Sequence, residues 1–220
     1  PVIEDIAAFL ENNPSEFLIL DFQHFKGGSE EKVIALLEEK LAGKMVDNAS
    51  GTDELTFIKT LKLKDVRGKA LIYWGVKDKQ REKTYVFSRN NDEGTRAGST
   101  LNSYYFSAEN GKPSEKYIST SIPKYIDMAK NSDGGLFVLQ CQLTDAIIIM
   151  GPKYREAQNE KNMNEFIESL NTSEDLKHIN IVMRDYVSPS KTGITLKLNL
   201  SKGIVKDTDK YTAILNNLTR

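Results

Sequence analysis

Three places in the sequence gather residues that can do chemistry, and each follows an apolar run. The first is Leu18-Ile19-Leu20-Asp21-Phe22-Gln23-His24-Phe25. A carboxylate, an amide and an imidazole stand there at the end of a hydrophobic segment. They can hold a ligand, or they can cap the segment and satisfy the loop that follows. The second place is Tyr73-Trp74, after Ala70-Leu71-Ile72. These rings can line a pocket or meet a membrane interface, or fill the core. The third is Asp185-Tyr186, after Ile181-Val182-Met183. A carboxylate there can orient a catalytic histidine or hold a cation, or form a structural ion pair with Arg184 or a neighbour. His178 precedes its apolar run and reads as surface, and Cys141 reads as a buried small hydrophobe.

The elements that position these residues alternate along the chain. Residues 2–12 predict a helix through Ile3, Ile6, Ala7 and Leu10, stopped at Asn13-Pro14. Phe17–Phe22 is a nearly continuous apolar run, as in a strand buried on both faces. Ser29 suits an N-cap for a helix to Leu41, with Val33, Leu36, Leu37 and Leu41 on one face. Residues 55–63 fit a short helix or a turn. Ala70–Trp74 is a second strand and Thr84–Phe87 a shorter third. Residues 88–116, rich in Asn, Gly and Ser, predict a long irregular excursion. A helix over 119–130 precedes a strand over 135–144, which 146–150 can continue. A helix over 157–170, a strand over 179–187, a last alternating strand over 194–200 and a closing helix over 212–218 complete the chain. Strand–helix–strand order of this kind argues for an α/β fold with a parallel sheet, open or closed into a barrel. In such folds the carboxyl ends of the strands carry the ligand site.

Composition narrows the chemistry. The 220 residues carry 30 basic and 31 acidic side chains, for a formal net charge of −1. That balance argues against a nucleic-acid binder. A single cysteine excludes an internal disulfide and any multi-cysteine zinc site. Two histidines, His24 and His178, leave little material for histidine-based metal or triad chemistry. No phosphate-binding glycine loop, HExxH or GxSxG motif occurs. The sequons at Asn48, Asn171, Asn199 and Asn217 hint at a secreted glycoprotein.

Taken in order, these motifs resemble the X domain of phosphatidylinositol-specific phospholipase C, particularly the small proteins with little beyond that domain. Ile6-x-x-Phe9-Leu10-x-x-Asn13-Pro14-x-Glu16-x-x-Ile19-Leu20-Asp21-Phe22-x-His24-Phe25 is similar to that family's helix, turn and fourth barrel strand. Leu61-x-x-x-Asp65-x-Arg67-Gly68-Lys69-x-Leu71-Ile72-Tyr73 resembles its lead-in to the fifth. Phe137-Val138-Leu139-x-x-x-Leu143-Thr144 and Asn180-Ile181-Val182-Met183-x-Asp185-Tyr186-Val187 resemble later strands.

The resemblance implies a distorted (β/α)₈ barrel, of which this chain supplies about five strands as the C-terminal portion of one domain. It implies phosphodiester cleavage by attack of an inositol 2-hydroxyl on phosphorus. Two histidines would act as base and acid, and a cation or arginine would steady the phosphate. Both histidines belong to the family's earlier strands, so the chain is expected to follow an N-terminal segment or a companion chain that carries them. Asp185 stands where the family's aspartate orients the first histidine. Gln23, His24, Tyr73, Trp74 and Tyr186 are the expected substrate-binding residues. Gln23 occupies a position where calcium-dependent members place a glutamate and bacterial enzymes a lysine. A neutral amide suits neither role, so no metal or other cofactor is expected, with calcium the alternative. The implied partners are a phosphoinositide or glycosylphosphatidylinositol-type lipid and, transiently, a membrane surface. The implied location is extracellular or secretory, with the cytoplasm as alternative. Two rival readings are a non-catalytic binding barrel and a metal-dependent relative of sphingomyelinase D or glycerophosphodiesterase.

Overall fold

Apolar spacing and end signals build the first helix. In the computed structural model α1 spans Val2–Asn12, with Glu4 and Asp5 in its first turn, where they oppose the positive end of the dipole. Asn13 ends it by donating its side-chain amide to the Phe9 carbonyl. The structure describes residues 2–23, 29–75, 82–90, 99–104, 113–132, 134–143 and 152–218. Two compact units divide the chain, Pro1–Asn102 with Asp133–Gly135, and Ser103–Ser132 with Leu136–Arg220.

In the first unit β1 (Leu18–Phe22), β2 (Ala70–Trp74), β3 (Val86–Asn90) and β4 (Leu101–Ser103, its last residue in the second unit) pair in parallel, in chain order. Parallel neighbours need helical or long connections. Between β1 and β2 these are α2 (Glu30–Lys40), α3 (Glu54–Thr60) and α4 (Leu63–Val66). Asp53 caps α3 by accepting from the Thr56 amide at 2.9 Å. Gly68, at φ +69°, turns the chain into β2 and donates its amide to the Glu16 carbonyl. A side chain is strained at that angle, which is why glycine stands there.

Side chains alternate across these strands. Leu18, Leu20, Phe22, Ala70, Ile72, Trp74 and Val86 pack with Leu10 of α1 and with Ile34, Leu37 and Leu41 of the α2 segment. The other face carries Asp21, Tyr73 and Phe87 side by side in register, with Phe57 of α3 stacked on Phe87 at 5.8 Å.

In the second unit β5 (Leu136–Gln140) and β6 (Ile181–Met183) pair in parallel. A helical turn and a π-helix (Tyr117–Ser121) lead into α5 (Ile122–Lys130), and α6 (Pro152–Ser169), α7 (Pro189–Ser201) and α8 (Thr208–Leu218) follow. The core holds Tyr104, Tyr117, Tyr125, Phe137, Leu139 and Met163.

Four expectations need correction. The alternating run Ile194–Leu200 is helix α7, not strand. Ser188 caps it by accepting from the Lys191 amide, and Pro189 opens it. Burial falls on Lys191, Ile194 and Leu198, a helical spacing that overrides the period-two pattern. Ser29 precedes α2, but its backbone is already in the helical region and its hydroxyl caps nothing. The buried face of α2 runs through Ile34, Leu37 and Leu41, leaving Leu36 41% exposed. The excursion expected at 88–116 contains the end of β3, all of β4 and a helical turn. With 194–200 lost and β4 gained, the described strands number six, in keeping with the expected about five. The proposed continuation at 146–150 lies outside the described residues.

Candidate functional site

Each unit carries a polar group at the carboxyl ends of its strands. In the first unit β1 brings Asp21 to that face and β3 brings Arg89, two residues beyond Phe87. Arg89 Nε lies 2.8 Å from Asp21 Oδ1, with the arginine side chain 2% and the aspartate 23% exposed. Gln23 Nε2 donates to Asp21 Oδ2 at 2.8 Å. Tyr73 stands beside Asp21 in the sheet, fully buried. Burial, joined by the charges of Asp21 and Glu54, pushes its pKa far up, so the phenol remains a proton donor. A guanidinium, an amide and a phenol around one carboxylate make a donor-rich corner suited to an oxyanion or a polyol. Both Asp21 oxygens already face an amide or a guanidinium, a donor set that does not suit a calcium ion.

In the second unit the residues after β6 part by face. Arg184 turns to the helices. It donates to Glu156 Oε1 of α6 at 2.9 Å and also to the Asn164 side chain. Lys191 Nζ of α7 donates to the same Glu156 oxygen at 2.6 Å and to the Tyr186 carbonyl at 3.1 Å. Arg184 thus pairs with Glu156, not with Asp185, which was one alternative the sequence left open. Among the described residues the Asp185 carboxylate has no hydrogen-bond partner, so it can accept from an imidazole or a hydroxyl. Burial and the Glu156 charge raise its pKa, against the pull of Lys191. Tyr186 is 52% exposed at φ +48°, a left-handed conformation that costs a non-glycine residue about 1–2 kcal/mol. The Lys191 hydrogen bond to its carbonyl holds it there.

The sequence-predicted residues thus fall in different places. Asp21, Gln23 and Tyr73 share one corner of the first unit, and Asp185 and Tyr186 share a turn of the second. Trp74 points the opposite way from Tyr73. It is buried among the helix-packed residues, its ring 5.0 Å from that of Phe22. His24 lies outside the described residues. His178 ends a short 3-10 helix before β6. Asn48 is buried and donates its side-chain amide to the Thr52 carbonyl, which leaves its sequon a structural role. Among the described residues no three histidine, cysteine or acidic side chains converge as metal ligands. Arg89 escaped the sequence reading. Its signal is a charged residue in phase with buried Phe87. Glu156 and Lys191 gave none, because each is read only through its distant partner.

These parallel strands and intervening helices are also those of a known structure. The chain is similar to phosphatidylinositol-specific phospholipase C from Listeria monocytogenes, with a TM-score of 0.59 over 90% of this chain and 69% of that chain. The fold is shared with that enzyme. It is α/β and of the phospholipase C-like barrel kind. At 17% identity the likeness speaks for the fold alone. No family model matches the sequence, and no curated protein matches it. No described helix is long and apolar enough to cross a membrane.

Proposed function

We propose that this chain is the larger, later part of a phospholipase C-like barrel that cleaves the phosphodiester of a phosphatidylinositol-type lipid. The observation that carries the reading is the buried Asp21–Arg89 pair with Gln23, set at strand carboxyl ends within the shared fold. In this reading Gln23 binds an inositol hydroxyl, Arg89 lends positive charge to the corner from beneath, Tyr73 packs beside Asp21, and Asp185 orients a general-base histidine. The histidines come from a segment ahead of Pro1 or from a companion chain. The edge of β1 supports this. The strand is half-buried along its whole length and, among the described residues, pairs on one side only. An open apolar edge is a template for a further strand. The substrate lies at a membrane surface, so contact with that surface is transient, and an extracellular or secretory location follows from the sequons.

The test is release of inositol phosphate from phosphatidylinositol vesicles by the intact protein, with Asp185→Asn as control. Turnover that depends on Asp185 supports the reading. A preceding segment that brings no histidine within reach of Asp185 defeats it. A second reading, a barrel that binds such a headgroup without cleaving it, is favoured by the neutral Gln23 and Tyr73. Saturable binding without turnover by the intact protein would select it.

A further inference from the structure

The second unit holds a buried cluster of charges beside a hollow. Arg184 and Lys191 are 3% and 5% exposed, and the buried carboxylate they share is that of Glu156, 7% exposed. Glu160 approaches Lys191 only to 3.7 Å and is 42% exposed, so solvent screens it. Asp185 hydrogen-bonds Lys191 through its backbone carbonyl, and its half-buried carboxylate acts on Lys191 only through space. Among the described residues two buried cations thus share one buried anion, an arrangement that favours a second anion close by. Among the described residues Arg184 Nε, in addition, is buried with no hydrogen-bond partner. Beside these groups lies a hollow of about 210 Å³. Arg184, Lys191 and Thr195 line it along with the apolar side chains of Val182, Val187 and Leu196. Its volume suits several waters or one small organic molecule.

The geometry points to a binding site for a small monoanion with a short aliphatic tail, a short-chain carboxylate. Its head accepts from Arg184 Nε and balances the second cation, and its tail covers Val182, Val187 and Leu196. The hollow adjoins the turn that carries Asp185 and Tyr186, because Lys191 lines it and also donates to the Tyr186 carbonyl. The readouts differ, carboxylate binding here and phosphodiester turnover there, so either reading can fail without the other.

The test is an amide-NMR titration of the full chain with sodium butyrate, sodium acetate, butanol and sodium phosphate. Butyrate is expected to saturate, with shifts confined to β6, the 184–188 turn and α7. Its two extra buried methylenes over acetate should tighten binding about tenfold. Neutral butanol should bind at least about tenfold more weakly than butyrate, having lost the charge-assisted bonds. Leu196→Trp fills the hollow without touching a charge and should abolish the shifts. Arg184→Met should weaken binding similarly, and if that variant does not fold, Leu196→Trp decides alone. The proposal is overturned if butyrate gives no saturable shift, if Leu196→Trp leaves binding intact, or if phosphate binds as tightly as butyrate. The last result would mark a general anion sink.

Discussion

Replacing Asp21 by Asn asks whether the corner between β1 and β3 is held by charge. At 2.8 Å and an effective dielectric constant of about 20, the Arg89–Asp21 attraction is about 6 kcal/mol before desolvation is subtracted. Arg89 is 2% exposed, so desolvation consumes much of that gain. Breaking such a pair from the aspartate side strands a buried guanidinium. The range for that is about 3–5 kcal/mol. Asp21, 23% exposed, lets some water reach the site, and Asn retains one acceptor oxygen, so the expected loss is about 3 kcal/mol. Arg89→Leu should cost less, about 2 kcal/mol, because water and Gln23 still serve the remaining carboxylate. The double variant Asp21→Leu/Arg89→Met should lie within about 1 kcal/mol of the parent, since a well-packed apolar pair often replaces a buried ion pair at little cost. All three variants should lose binding of soluble inositol phosphate. The assay is urea unfolding with the slope held common, read beside isothermal titration. An Asp21→Asn loss below about 0.5 kcal/mol would place the pair among surface ion pairs and refute the reasoning. A double variant as unstable as Asp21→Asn would show that shape, not charge, is at stake.

Three further outcomes are expected. Because the folded state raises the Asp185 pKa, it holds that proton more tightly than the unfolded chain does. Ionised Asp185 is thus a destabilising contribution above the folded pKa, and it is relieved as pH falls through that value. Asp185→Asn should therefore be more stable than the parent at neutral pH, with the gap closing in acid, as thermal midpoints across pH will show. Cys141 is 1% exposed and burial pushes its thiol up to about 12, so Ellman's reagent should react only as fast as the chain unfolds. Ser188→Ala should lower stability by about 1 kcal/mol by uncapping α7, and Leu198→Ala by about 3 kcal/mol through the cavity it leaves. An unchanged denaturation midpoint for both would restore the strand reading of 194–200.

The parts of the fold that could be read early are those where one local signal dominates. The apolar runs at 18–22, 70–74 and 136–140 allow only buried strands, and Asn13-Pro14 and Arg67-Gly68 punctuate them. The 194–200 segment misleads because its leucines alternate, and the Ser188-Pro189 start signal carries the information that the period conceals. β4 is three residues long with polar Asn102 and Ser103 in it, so no pattern announces it. The candidate site divides in the same way. Asp21, Gln23 and Asp185 stand out because each polar group ends an apolar run. Trp74 and Tyr73 look equivalent in sequence, and only strand alternation sends one to the helices and the other to Asp21. Glu156 is joined to Arg184 and to Lys191 by contacts 28 and 35 residues apart in sequence, which no local reading supplies.

The central claim, a phosphodiesterase completed by histidines from outside this chain, is met most directly by phosphorus NMR of phosphatidylinositol vesicles treated with the intact protein. The account predicts conversion of the lipid phosphodiester to a released inositol phosphate, slowed by about 10²–10⁴-fold in Asp185→Asn, as expected when general-base catalysis is lost. Vesicles left unchanged by the folded, intact protein, or turnover indifferent to Asp185→Asn, would contradict it.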